Sequence, residues 1–206
     1  VPMEEALVIT DKTNLRNLML NVVRADTRNS LASIAKALDS EDSETSHYAA
    51  SVLRDELNDF RVKVQKIYTD IKEEKPEQTD SEEMLIDYMN RILCQKVFTE
   101  IEQAKFVNIM VEAAESIYQK NASRMLPQRY EAVCLRLIEQ NQFEQADLWC
   151  ERLAKQFPDE LVAYTCRLKL YFKENDRDRF FLVMDQLKKS DIIIDNETLE
   201  LIRVFS

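Results

Sequence analysis

Four cysteines and one histidine are the side chains of this 206-residue chain best suited to metal binding or nucleophilic catalysis. Cys94, Cys134, Cys150 and Cys166 are separated by 40, 16 and 16 residues, no Cys-x-x-Cys pair occurs, and His47 lies far from all of them. A structural zinc site needs closely spaced ligand pairs, which fix two ligands from one turn. The spacing therefore argues against a metal site and favours reduced thiols packed as small apolar side chains of a cytosolic protein.

His47 and the carboxylates are the remaining candidates for acid–base chemistry. His47 lies at the start of a predicted long helix, and an enzyme would need a polar pocket that gathers it with a carboxylate or a cysteine. The sequence indicates no nucleophile or orienting group beside it, so we expect a packing or capping role. Carboxylate pairs such as Asp39/Asp42 and Glu73/Glu74 lie in polar turns and linkers, whereas a glycosidase needs two carboxyl groups facing each other across a pocket. The sequence therefore predicts a protein that is not an enzyme and has no cofactor.

The chain contains no glycine, although a protein of this length has about 14 on average. Phosphate-binding loops of nucleotide enzymes and the nucleophile elbow of hydrolases rely on glycine for close approach of the backbone. A calcium-binding EF-hand loop also needs a glycine. These classes of site are therefore close to excluded.

The charge balance bears on the partners of the protein. The chain has 28 basic and 38 acidic residues, a formal net charge of -10, and no basic stripe, so we expect no nucleic-acid partner. Its apolar runs, such as Ala6 to Ile9, have at most five residues, far short of the roughly 20 that span a bilayer. The chain opens on Val1 and Pro2 instead of a methionine, so we expect an excised domain with a targeting or anchoring segment upstream.

The composition and a 34-residue period predict the secondary structure on which any functional site must lie. Hydrophobic residues make up 45% of the chain and there are only 4 prolines, which favours an all-α fold of considerable core size. Self-similarity in the C-terminal third indicates repeated helix pairs. The recurring positions are Tyr130 and Tyr164, Asn141 and Asn175, Leu153 and Leu187, and the set Leu137, Tyr171 and Phe205.

Residues 127–160 form the clearer copy of this period. They predict one helix, a polar break at Asn141, a second helix from Phe143 and a stop at Pro158. A small residue, Ala146, falls where the two helices cross closely. This arrangement resembles a tetratricopeptide repeat.

The second copy, residues 161–194, is more degenerate, because Phe180 replaces the small residue and Ile192 replaces the proline. Residues 195–206 predict only a closing helix. Together, residues 127–206 are expected to form tetratricopeptide-like repeats.

The N-terminal half predicts further helix pairs. Residues 1–75 resemble a HEAT-like helical part, residues 76–80 read as a charged linker, and residues 81–126 predict a helical hairpin that is a divergent repeat. Thr79 and the carboxylate of Glu82 suggest a capping box at the start of that hairpin. The helices expected in the first part are Pro2–Ile9, Asn14–Arg24, Asn29–Leu38 and Glu44–Lys72.

Positions 2, 5, 9 and 12 of the first helix in each repeat predict a partner-binding groove. Its apolar members indicate either a binding patch or a packed neighbour, and both readings stay open at this point. Trp149 is expected to be an inter-repeat contact or, alternatively, a partner-binding anchor. Glu131 and Leu135 depart from the pattern of repeats that clamp a terminal carboxylate, so no such clamp is expected. The groove residues are Gln128, Glu131, Leu135, Ile138, Val162, Thr165, Lys169 and Phe172.

Three segments together resemble the cytoplasmic region of the PelE family, in its Gram-positive form. They are the opening Val1–Leu7, the turn Ser46–Ala50 into the long helix, and the tail ending Leu199–Phe205. The resemblance implies a right-handed α-solenoid of antiparallel helix pairs, HEAT-like and then tetratricopeptide-like, without catalytic residues. It also implies a scaffold of Pel exopolysaccharide synthesis, anchored by membrane helices outside this fragment.

By the same resemblance, the partners would be the cyclic-di-GMP receptor, the glycosyltransferase and the transporter subunits of the synthase. The protein would then lie at the cytoplasmic face of the cell membrane. An alternative hypothesis is a soluble cytosolic regulator that binds a signalling peptide or a partner helix in the same groove.

Overall fold

The computed structural model describes residues 31–205, and every regular element in that range is helical. The predicted all-α fold class is confirmed for this part of the chain. The predicted helices Pro2–Ile9 and Asn14–Arg24 and the opening segment Val1–Leu7 lie outside the described residues. The α-helices are α1 Leu31–Lys36, α2 Ser43–Glu73, α3 Asp80–Leu93, α4 Glu100–Asn121, α5 Pro127–Glu139, α6 Phe143–Gln156, α7 Leu161–Glu174, α8 Arg177–Lys188 and α9 Asn196–Val204.

The chain divides into two compact units between Phe106 and Val107, within α4. Residues 76–79 of the predicted linker lie in the short connection between α2 and α3, and Asp80 is the first residue of α3. These two helices pack against each other in the first unit. Within residues 31–205, no helix combines the length and apolar content that a membrane crossing requires.

The long helix α2 organises the first unit. Asp42 caps its start, because its carboxylate accepts a hydrogen bond from the backbone N–H of Thr45 at 3.1 Å. Its buried residues are spaced by three, four or eight positions, which places them on one face of the helix, as expected for a helix with one face in a core. One of them, Phe60, lies 5.0 to 5.5 Å from the ring centroids of Tyr88, Phe98 and Phe106.

The start of α3 differs from the prediction in its hydrogen bonding. Thr79 occupies the N-cap position, but its side chain makes no capping bond to the backbone. Its hydroxyl donates instead to the Glu83 carboxylate at 2.7 Å. The predicted N-cap position of Thr79 is confirmed, but the capping bond expected from its hydroxyl is absent, because that hydroxyl donates to Glu83 instead.

Two helical hairpins, α5/α6 and α7/α8, follow the predicted repeat copies in the second unit. Asn141 and Asn175 adopt left-handed conformations, with φ of 57° and 62°. The residue after each asparagine donates its N–H to a carbonyl five residues back: Gln142 to Leu137 at 3.0 Å, and Asp176 to Tyr171 at 2.8 Å. Glycine usually closes a helix in this way. The prediction that asparagine takes over this role in both copies is confirmed.

Candidate partner-binding surface

Four of the predicted groove residues come together around one cavity of about 420 Å³ in the second unit. Glu131 reaches it from α5, and Thr165, Lys169 and Phe172 reach it from α7. We call this space the α5–α7–α9 cavity, after the helices that supply most of its lining. These four residues belong to the set predicted for the groove, and their role in binding stays a prediction.

The other predicted groove residues do not line this cavity. Gln128 is exposed, while Leu135 and Val162 are half-buried. The side chain of Ile138 is buried, with 6% of its surface exposed. Of the two readings left open for the apolar positions, a packed neighbour therefore applies to Ile138, whereas the side chain of Phe172 is exposed.

The closing helix α9 supplies the wall that the sequence did not assign to the site. Asp195 holds the start of this helix, because its carboxylate accepts a hydrogen bond from the backbone N–H of Thr198 at 2.7 Å. Thr198 is itself buried. Three- and four-residue spacing within α9 could have indicated the wall, since it puts acidic and apolar residues on one face. The residues from this segment that line the cavity are Asp195, Glu197, Thr198, Glu200, Leu201, Val204 and Phe205.

Acidic groups dominate the rim of the α5–α7–α9 cavity. Its lining contains four carboxylates, those of Glu131, Asp195, Glu197 and Glu200, and one cation, Lys169. The Lys169 ammonium lies 4.0 Å from the Glu197 carboxylate, and both side chains are well exposed. Hydrogen bonds from Thr198, together with the charge of Lys169, lower the pKa of Asp195. The carboxylates therefore outnumber the cation by three.

Aromatic rings form the floor of the same cavity. Phe172 is 63% exposed, and its ring centroid lies 6.2 Å from that of Phe180 and 6.1 Å from that of Phe205. Val204 on α9 is 73% exposed beside them. A large aromatic side chain with this exposure in a concave site is typical of protein-binding surfaces.

Trp149 is part of the core of the second unit. Only 1% of its surface is exposed, and its ring lies 6.1 Å from that of Tyr118 and 5.8 Å from that of Tyr130. Tyr118 belongs to α4 and Tyr130 to α5, so the tryptophan joins helix pairs. The expected inter-repeat contact is confirmed, and the alternative of a partner-binding anchor is wrong.

The residues first considered for chemistry are dispersed or buried. Cys134, Cys150 and Cys166 are buried, and burial together with the two neighbouring thiols raises the pKa of Cys134 well above its ordinary value. Cys94 is exposed and departs from the predicted core position, while His47 is exposed on α2. Across residues 31–205, no three histidine, cysteine or acidic side chains are arranged to hold a metal ion.

Tyr171 provides a prediction about pH. Its hydroxyl donates to the Asp147 carboxylate at 3.0 Å, and burial together with that carboxylate raises its pKa from 10.0 to about 12. The fold favours the neutral phenol, so its contribution to stability is complete below pH 10 and is lost as the pH rises towards 12. We expect the urea midpoint to fall through this window, and to fall less steeply in Tyr171→Phe. Identical slopes in the two proteins would contradict the assignment.

Comparison of the chain with known protein families, with curated proteins and with solved structures finds no match. The resemblance to the PelE family stays a prediction from the sequence.

Proposed function

We propose that this protein is a non-enzymatic protein-interaction module and that the α5–α7–α9 cavity is its binding surface. The observation that carries the proposal is the exposed ring of Phe172 in a cavity that Glu131, Thr165 and Lys169 also line.

The architecture we propose is a right-handed α-solenoid, HEAT-like at first and tetratricopeptide-like in residues 127–206. The matching turns at Asn141 and Asn175, which are 34 residues apart, support this reading of the second unit. Its two hairpins pack through α5 and α7 and through α6 and α7, as successive repeats of a solenoid do.

The biological role we propose is that of a PelE-like scaffold at the cytoplasmic face of the cell membrane. It would hold the cyclic-di-GMP receptor, the glycosyltransferase and the transporter subunits of an exopolysaccharide synthase together. The resemblance of three segments to that family supports this role, while the cavity supports only the more general one of binding a protein.

A pull-down of the tagged full-length protein from membranes tests two claims: that the cavity binds a partner, and that the partners are subunits of an exopolysaccharide synthase. Phe172→Ala and Glu131→Lys are expected to lower recovery of synthase subunits by about tenfold, equivalent to about 1.4 kcal/mol. Leu182→Ala, at an exposed leucine outside the cavity lining, is the matched control and should leave recovery unchanged.

The outcomes of this pull-down separate the two claims. If recovery of every partner were unchanged in both cavity variants, the assignment of the cavity as the binding surface would be wrong. Recovery of other proteins, lost in the cavity variants alone, would overturn the exopolysaccharide role and favour the cytosolic regulator.

A further inference from the structure

We infer that the α5–α7–α9 cavity selects a basic amphipathic segment of a partner protein, in which a large apolar side chain is flanked by lysine or arginine. This inference rests on the proposed function and specifies the chemistry of the partner. The two features that point to it are the acidic rim and the aromatic floor.

The rim has carboxylates available to a cationic ligand. The side-chain carboxylate of Glu131 makes no ion pair or hydrogen bond within residues 31–205. Glu197 lies 4.0 Å from the Lys169 ammonium, and Glu200 pairs with Arg203 at 2.7 Å, with both partners of each pair exposed. Exposed pairs of this kind contribute about 0–1 kcal/mol. A lysine or arginine of the ligand can therefore compete for these carboxylates at little cost.

The floor requires an apolar group from the same ligand. Phe172 and Val204 expose most of their surface, and Leu168 and Phe180 form the buried base of the lining. Covering the ring of Phe172 with an aliphatic or aromatic side chain removes apolar surface from water, which stabilises the complex.

The opposite ligand charge is disfavoured by the same geometry. An acidic segment or a terminal carboxylate would have Lys169 as its sole cationic partner among the lining residues and would face four carboxylates. Like charges brought together at an interface lower affinity and discriminate against the wrong partner. The net charge of -10 on the whole chain acts in the same direction at longer range.

Fluorescence anisotropy with synthetic peptides tests the inference. The probe is a short fluorescein-labelled peptide with a central phenylalanine flanked by lysines, and the comparison peptide has glutamates in place of the lysines. We expect the lysine peptide to bind at least about tenfold more tightly, and its affinity to fall as salt is added. A peptide with the same composition in scrambled order controls for attraction by charge alone and should bind more weakly.

Variants of the full chain locate the binding. Glu131→Lys should weaken the lysine peptide by about tenfold, whereas the charge-matched Glu151→Lys, at an exposed glutamate outside the cavity, should leave it unchanged. Glu131→Gln keeps the size of the half-buried side chain and should weaken it less. Circular dichroism and thermal unfolding identify a variant that fails to fold.

The possible results separate this inference from the proposed function. Equal or tighter binding of the glutamate peptide, or no binding of the lysine peptide, would overturn the basic-ligand assignment. The proposal that the protein is an interaction module would then still be tested by the pull-down. An affinity for the lysine peptide that is unchanged in both Glu131→Lys and Phe172→Ala would also overturn the basic-ligand assignment. The peptide would then bind outside the cavity.

Discussion

Replacing Trp149 by alanine is expected to lower the free energy of unfolding by about 3–5 kcal/mol, the usual cost of removing a buried aromatic side chain. Its ring is buried between Tyr118 and Tyr130, and the guanidinium of Arg152 lies 4.6 Å from its centroid. The substitution removes three contacts at once and leaves a cavity among elements of the second unit that cannot all collapse.

Urea unfolding followed by circular dichroism measures this loss. Leu148→Ala is the matched control, because Leu148 is the neighbouring residue of α6 and is 46% exposed. We expect the control to change stability by less than about 1 kcal/mol. Trp149→Phe should retain part of the stability, since a phenyl ring fills part of the space. A similar small loss for Trp149→Ala and Leu148→Ala would contradict the central role of the tryptophan.

Phe60→Ala is the corresponding prediction for the first unit, again with an expected loss of about 3–5 kcal/mol. Only 1% of the surface of Phe60 is exposed, and its ring contacts those of Tyr88, Phe98 and Phe106. The ring of Phe106 meets it edge to face, at an interplanar angle of 86°. Such aromatic pairs contribute about 0.5–1.5 kcal/mol beyond the burial of their area.

The control for Phe60 lies on the same helix. Val62 is 69% exposed, so Val62→Ala should change the unfolding free energy by less than about 0.5 kcal/mol. Near-ultraviolet circular dichroism adds a second readout, because it reports the loss of fixed aromatic packing. A Phe60→Ala protein with unchanged midpoint and unchanged near-ultraviolet spectrum would show that this ring cluster does not hold the unit together.

The hairpins of the second unit could be predicted because their signals are local. Pro127 fits the first position of α5, where no intrahelical N–H partner is needed, and each asparagine closes its helix through bonds to its own last turn. The 34-residue period then set the helix lengths. The observed bounds of α5 and α6 follow the predicted start at residue 127, the break at Asn141 and the restart at Phe143.

Features that depend on tertiary neighbours could not be predicted from the sequence. Whether Ile138 is exposed in a groove or buried depends on which helix packs against it, and helical spacing alone cannot say. The division of the chain within α4 falls inside a continuous helix, where no break in composition marks it. The contribution of α9 to the acidic cavity lining was not predicted for a similar reason. The apolar spacing of a closing helix indicates only core packing unless the neighbouring cavity is known.

The left-handed asparagines also bear on the denatured protein. Each glycine in a chain adds backbone freedom to the unfolded ensemble, worth roughly 0.4–1 kcal/mol relative to alanine where the fold accepts either residue. This chain contains no glycine, and asparagine closes its turns at positions 141 and 175. Its unfolded ensemble is therefore more restricted than that of an average chain of equal length, and less conformational entropy is lost when it folds.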